Sequence, residues 1–303
     1  MKTINILLES DSLWDKVKQQ TNYALNCGAL KSIPTEYELI KDGDIDFVVR
    51  ILSNLTHKDN AKKQQKKIEK KLGKDFNPFL PYEEDLFVTN ISDTHLCLLN
   101  KFNVVDHHLL IITREFKDQE TWLNFNDFAA LWACLLQIDG LSFYNSGKLA
   151  GASQHHKHLQ LIPLPLISEG AKVPIETVIK TAEYQGKIGK IPCFKFTHAL
   201  INLETQNNQD ILELAQLTLE NYQCLLEAVG MSIKKQEKPD PYNLLVTREW
   251  MMIIPRSQSK FESISINSLG FVGALLVKNE QQMQTLKELS PLTILTNVAC
   301  SSP

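Results

Sequence analysis

The sequence predicts an α+β fold, and three observations carry that prediction. Short apolar runs of strand length, "LFVTNI", "HLCLLNKF" and "HHLLIIT", fill the stretch from Leu86 to Thr113 with polar residues between them, which is the pattern of an antiparallel meander or hairpin. One clear helical stripe follows, and then strand, loop and strand again in "LSFYNSG", "KLAGAS" and "HHKHLQLIPLPL". That order departs from the strict strand–helix alternation of a doubly wound sheet. A second hairpin-like segment, "PYNLLVTREWMMIIPR", follows another helical stripe in the last third of the chain, with Thr247-Arg248-Glu249 near its turn.

In chain order, the first element is an amphipathic helix. Ser10-Asp11-Ser12 offers N-caps, Leu13, Trp14 and Val17 begin an apolar face, and Gly28 stands where a C′ glycine would stop it. The lysine-rich segment 58–74, with its densest part from Ala61 to Lys71, has almost no apolar stripe. It reads as a solvated surface helix or insertion rather than a basic flap over a polyphosphate. "NPFLPYEED" is a loop. After the strands of 86–113, Phe128, Leu131, Leu135 and Ile138 keep helical spacing between Asn126 as N-cap and Gly140 as stop. "SEGAKVPIE" and "EYQGKIGKIP" read as glycine-bearing connectors, dividing a lobe of residues 1–165 from one of 170–303. Asp210 to Ala228 is a helix ending at Gly230, "NSLGFVGALLVK" is an apolar patch, and Glu280 to Leu289 is a final helix.

Composition narrows the function classes. With 43% apolar and 22% charged residues, 303 residues can bury a sizeable core. Thirty-two basic against thirty-five acidic side chains leave a net charge of −3, so nothing points to nucleic acid or a membrane surface as partner. No run approaches the roughly 20 apolar residues of a membrane span, and the N-terminus lacks the pattern of a signal peptide. Six scattered cysteines include no C-x-x-C, which favours a reducing, cytoplasmic setting.

Chemistry concentrates between residues 145 and 160. In a strand, residues two apart share a face, so His156, His158 and Gln160 project together while Lys157, Leu159 and Leu161 point away. Each of those polar groups needs a partner if buried. Just upstream, "NSGKLAGASQ" (145–154) is rich in glycine, alanine and serine, so its backbone can approach an anion closely. It is not the Walker pattern. Three chemistries compete for the histidines. They are satisfied structural residues, or two ligands of a metal site that has no evident third ligand, or a neutral imidazole nucleophile beside a phosphate-binding loop.

The segment "NSGKLAGASQHHKHLQ" resembles the active-site segment of the histidine-triad superfamily, in the branch with H-x-H-x-Q in place of three histidines. Within that branch the chain is similar to the diadenosine tetraphosphate phosphorylases (ATP adenylyltransferases). "GALKSIPTEYELIKDGDIDFVVR", "NPFLPYEEDLFV", "LNKFNVVDHHLLIIT", "PYNLLVTREWMMIIPR" and "NSLGFVGALLVK" follow in that family's order. The related uridylyltransferases typically add a zinc-binding cysteine pair that is missing here, so no structural zinc is expected.

The resemblance implies a histidine-triad-like antiparallel sheet with flanking helices, completed by a C-terminal α+β lobe. It implies that His158 is the nucleophile, that Gln160 holds a phosphate oxygen and that His156 orients the nucleophile. Gly151, Ala152, Ser153 and Gln154 match the phosphate loop, and Asn145 the polar residue that opens it. Asn100 and Lys101 match a nucleoside-contacting pair, and Lys31 a lysine that reaches the substrate. Asn267, Ser268, Leu269 and Lys278 match contacts from the C-terminal lobe, where Ala274 replaces a larger residue. The implied reaction is reversible phosphorolysis of diadenosine tetraphosphate to ATP and ADP with inorganic phosphate as acceptor. A divalent cation, Mg²⁺, would travel with the polyphosphate. A hydrolase using water as acceptor and a non-catalytic nucleotide-binding module are the alternatives.

Overall fold

Leu13, Val17, Thr21 and Ala24 recur at helical spacing and form the buried stripe of the first helix, α1 (Leu13–Asn26). Ser12 occupies its N-cap without a side-chain capping bond, its hydroxyl donating to the Glu9 carbonyl. The Gln137 carboxamide oxygen accepts from the Ser12 and Leu13 amides instead, at 3.0 and 2.9 Å, supplying from a distant loop what the local cap does not. Gly28 follows the helix at φ +78°, the left-handed turn that favours glycine.

The computed structural model describes residues 4–52, 77–167, 171–205, 209–233 and 237–302; the lysine-rich segment lies outside them. After α1, β1 (Thr35–Asp42) and β2 (Ile45–Leu52) pair as a hairpin. β3 (Phe87–Asn90), β4 (His95–Leu99) and β5 (Leu109–Thr113) make the expected meander. α2 (Phe125–Leu135) leads to β6 (Gly140–Asn145) and, beyond the small-residue loop, to β7 (His158–Pro163). A single turn, α3 (Glu176–Ile179), precedes β8 (Glu183–Gln185), β9 (Ile188–Lys190) and β10 (Ala199–Asn202). Then come α4 (Ile211–Ala228), the hairpin of β11 (Tyr242–Val246) and β12 (Trp250–Pro255), and a ribbon of β13 (Lys260–Phe261) and β14 (Ile264–Ser265). β15 (Ala274–Val277), α5 (Glu280–Leu289) and α6 (Pro291–Val298) close the chain.

Four local expectations change. Asn124, not Asn126, caps α2, because Asp127 at the third helical position returns the bond: Asn124 Oδ1 accepts from the Asn126 and Asp127 amides, and Asp127 Oδ2 accepts from the Asn124 amide at 2.8 Å. α2 stops at Leu135, and Gly140 instead opens β6, where a Cβ would sit 2.8 Å from the Ile162 carbonyl oxygen. "EYQGKIGKIP" is not a plain connector but the hairpin β8–β9. α6, with Pro291 in its first turn, is an additional helix.

Ten strands form one antiparallel sheet in the order β3-β4-β5-β7-β6-β11-β12-β10-β9-β8. Strands from both ends of the chain meet where β6 pairs with β11. Leu109, Ile111, Leu159 and Leu161 face one side and pack with Leu13, Phe128, Trp132 and Tyr222 from the helices. The other side carries two patches. Leu110 and Ile112 of β5 pack with Phe79, while Leu141 and Phe143 of β6 pack with Phe47, Phe271 and Leu286 of the layer formed by β1-β2-β15 and the last helices. β7 runs between β5 and β6, so its polar face emerges between the two apolar patches.

Candidate active site

Strand alternation sends His158 and Gln160 to the side opposite Leu159 and Leu161. His156 joins them from just outside β7, and the Phe79 ring lies edge-on to both imidazoles, with centroids 5.6 Å from His156 and 5.5 Å from His158. Lys157 goes the other way, to the Trp122 carbonyl and the Asp127 carboxylate at 2.8 and 2.7 Å. Where β6 and β7 part to admit the loop, buried Gln119 takes over the pairing. Its amide nitrogen donates to the Asn145 and His158 carbonyls at 2.9 and 3.2 Å, and its oxygen accepts from the His158 amide at 2.8 Å.

The hydrogen bonds assign the tautomers. His158 Nδ1 lies 2.8 Å from the His156 carbonyl oxygen; that oxygen can only accept, so Nδ1 carries the proton and Nε2 keeps its lone pair. Burial drives the His158 pKa down from 6.5 to about 4, which keeps the ring neutral at pH 7. His156 is fixed in the opposite sense. Its Nε2 donates to the Thr113 carbonyl at 2.7 Å, and its Nδ1 accepts from Asn77 Nδ2 at 2.8 Å. The backbone of His156, not its ring, therefore orients His158.

The loop that precedes β7 folds on itself: the Ala152 amide donates to the Gly147 carbonyl at 3.0 Å, and Gly151 turns through φ +98°. A Cβ at 151 would lie 2.9 Å from that of Asn267, so glycine is needed for both conformation and space. Asn145 Oδ1 accepts from Asn243 Nδ2, the Ser268 amide and the Ser268 hydroxyl at 2.9, 3.0 and 2.8 Å. Buried Arg256 donates to Asn243 Oδ1 at 2.6 Å and to the Ala150 and Ile266 carbonyls at 3.3 and 3.1 Å. The loop is thus tied to the C-terminal segment by a satisfied polar frame.

The predicted residues fall into three groups. His156, His158 and Gln160 share one face of the sheet. Asn145, Gly151, Asn267 and Ser268 meet at the loop, with Ala152, Ser153 and Gln154 on its exit, Ser153 exposed, and Leu269 packed against the core. Lys31 and Lys101 are joined by a backbone bond of 2.8 Å beside Asn100, and the Lys101 ammonium pairs with Glu83. A cavity of about 290 Å³ adjoins this third group, lined by Ser32, Pro34, Thr35, Arg50, Asn103 and Asp106 among others. Exposed Lys278 follows β15, its amide held by Gln282 Oε1 at 2.9 Å, and among the described residues no bond joins it to the three groups.

The Ap4A phosphorylase N-terminal domain profile matches residues 3–181, and the ATP adenylyltransferase C-terminal domain profile matches 192–301. The chain belongs to the Ap4A phosphorylase family. It is 28% identical to diadenosine 5',5'''-P1,P4-tetraphosphate phosphorylase 2 of Saccharomyces cerevisiae, over 97% of this chain and 95% of that one. It is 26% identical to the Protein APA1 of the same yeast, over 92% and 91%. The crystal structure of yeast Ap4A phosphorylase Apa2 in complex with AMP superposes with a TM-score of 0.75 at 26% identity, covering 98% of this chain and 99% of that one.

Sequence reading of this Ap4A phosphorylase family member misses Gln119, Asn243, Arg256 and Asn77, because single polar residues with distant partners leave no periodic trace. The same burial that keeps the imidazoles neutral gives a pH prediction. His108 and His158 are each lowered to about 4 by burial, from 6.5. An unfolded chain takes up those protons first as the pH falls, so stability is present above 6.5 and lost progressively toward 4. Urea midpoints measured across that window are expected to fall steadily on acidification; a flat profile down to pH 4.5 would contradict the assignment.

Proposed function

We propose that the chain catalyses the reversible phosphorolysis of diadenosine tetraphosphate to ATP and ADP through an adenylyl group carried on His158. The observation that carries this reading is the His158 geometry: Nδ1–H is spent on the His156 carbonyl, and the unprotonated Nε2 is the free nucleophile. In the first step the Nε2 lone pair attacks the α-phosphorus, the N–P bond forms, and the bond from phosphorus to the departing ATP oxygen breaks. In the second, an oxygen of inorganic phosphate attacks the same phosphorus, the N–P bond breaks, and ADP leaves. Two in-line displacements retain configuration at phosphorus and give ping-pong kinetics. The Gln160 amide and the loop amides of 151–154 would hold the phosphoryl oxygens. Lys31, Asn100 and Lys101, beside the cavity, would take the nucleoside end, and Asn267, Ser268, Leu269 and Lys278 the distal part of the substrate.

No three His, Cys, Asp or Glu side chains converge as metal ligands among the described residues. Mg²⁺ would be bound through the substrate polyphosphate, whose charge it neutralises. Among the described residues no helix is long and apolar enough to cross a membrane. All six cysteines are free thiols, the state that a reducing, cytoplasmic setting maintains.

The test is product analysis on diadenosine tetraphosphate with and without inorganic phosphate. ATP and ADP released only with phosphate is the expected result. ATP and AMP formed without phosphate would make the chain a hydrolase, and tight binding without turnover would make it a nucleotide-binding module.

A further inference from the structure

Gln160 can help a phosphoryl group only if its NH₂ faces the substrate, because its oxygen would repel an anion. A carboxamide in a strand has two nearly isosteric orientations, so something must choose between them. Gln160 Oε1 lies 2.9 Å from His108 Nε2, contributed by β5's approach, and Leu110 of that strand pairs with Gln160 itself. His108 Nδ1 in turn lies 3.2 Å from Asn100 Nδ2, while Asn100 Oδ1 accepts from the Phe102 amide at 3.3 Å. The direction of each bond follows from a group that can act in only one sense. The Phe102 amide donates, so Asn100 turns its oxygen toward it and its NH₂ toward His108. His108 Nδ1 must then accept, which puts the ring proton on Nε2, and Nε2–H points at Gln160 Oε1. Gln160 Nε2 bonds to no described residue and keeps both protons for the substrate.

We infer that His108 is a positioning residue for phosphoryl transfer, which fixes the amide orientation of Gln160 through a relay that starts at the Phe102 backbone. The His108 ring bonds to Asn100 and Gln160 and not to His158, so it acts through Gln160. Its burial, 8% exposed, and its low pKa, about 4, keep it neutral, so Nδ1 remains an acceptor across the working pH range. The inference rests on the phosphorolysis reading given above.

The test compares wild type, His108→Gln, His108→Met, Gln160→Ala and the His108→Met/Gln160→Ala double variant, assayed with diadenosine tetraphosphate and phosphate. Glutamine and methionine fill similar space at 108, but only glutamine puts an N–H near the Nε2 position. His108→Met is expected to lower kcat about 10- to 30-fold, the scale of a misdirected bond to a charged group, with KM within about 3-fold. His108→Gln should stay within about 3-fold of wild type. Added to Gln160→Ala, His108→Met should cost less than about 2-fold, because the group it positions is already gone. Equal losses in the Met and Gln variants, or an undiminished loss in the Gln160→Ala background, would overturn the inference. Melting temperatures taken alongside separate a folding defect, which would lower both backgrounds alike. A wild-type chain that does not turn over the substrate would overturn the functional reading and this inference with it; active wild type with a flat variant series overturns the inference alone.

Discussion

His158→Ala is expected to lower phosphate-dependent turnover of diadenosine tetraphosphate by at least about 10³-fold, about 4 kcal/mol of transition-state free energy, and to abolish labelling of the protein by adenylate. Neither His156 nor His108 can substitute. The His156 ring has one nitrogen committed to the Thr113 carbonyl and the other to Asn77, and His108 is committed to Gln160 and Asn100. His156→Ala should be milder, about 10- to 100-fold, because the carbonyl that orients His158 belongs to the backbone and survives the substitution. Single-turnover assays with acid quench measure both. A His156→Ala loss equal to that of His158→Ala would mean that the ring takes part in the chemistry, and covalent labelling that persists in His158→Ala would move the nucleophile elsewhere.

The second large effect lies on the opposite side of the same strand. Asp127, 1% exposed, accepts from the Lys157 ammonium at 2.7 Å, from His95 Nε2 at 3.1 Å and from the Asn124 amide at 2.8 Å. Burial alone pushes its carboxyl pKa up, but the Lys157 charge and the His95 bond outweigh it and bring it down to about 2. Asp127→Ala leaves the Lys157 ammonium buried without a counter-charge and removes half of the α2 capping box. The expected loss is about 3–5 kcal/mol, read from urea unfolding at pH 7. Asp127→Leu combined with Lys157→Met should recover much of it, since a well-packed apolar pair often replaces a buried ion pair without cost. A loss below 1 kcal/mol in Asp127→Ala would show that water reaches Lys157. Because Lys157 sits between His156 and His158, the same anchor holds the peptide whose carbonyl selects the nucleophile's tautomer.

Much of this protein was legible from residue order. The strands of 86–113 and the hairpin at 242–255 follow from short apolar runs bounded by polar residues, the α4 stripe and α5 follow from period-3.6 spacing, and strand alternation places His158 with Gln160 and opposite Leu159. Element ends were less legible. Asn124 and Asn126 are both acceptable caps by type, and only the returned bond from Asp127 chooses between them. The start of α1 at Ser12 was legible, but the acceptor for its first amides was not, because it comes from Gln137.

The sequence by itself determined the fold class, the face on which the histidines stand and the small-residue loop before them. These depend on backbone geometry and side-chain size within a few residues, which any short window contains. The tertiary structure decided which way the His156 ring is turned, which way Gln160 turns, and what holds the loop in place. Those outcomes depend on Asn77, His108, Gln119, Asn243 and Arg256, single residues whose partners lie far away along the chain. A buried polar group must find a partner, but which partner it finds is settled only when the strands that carry both are brought together.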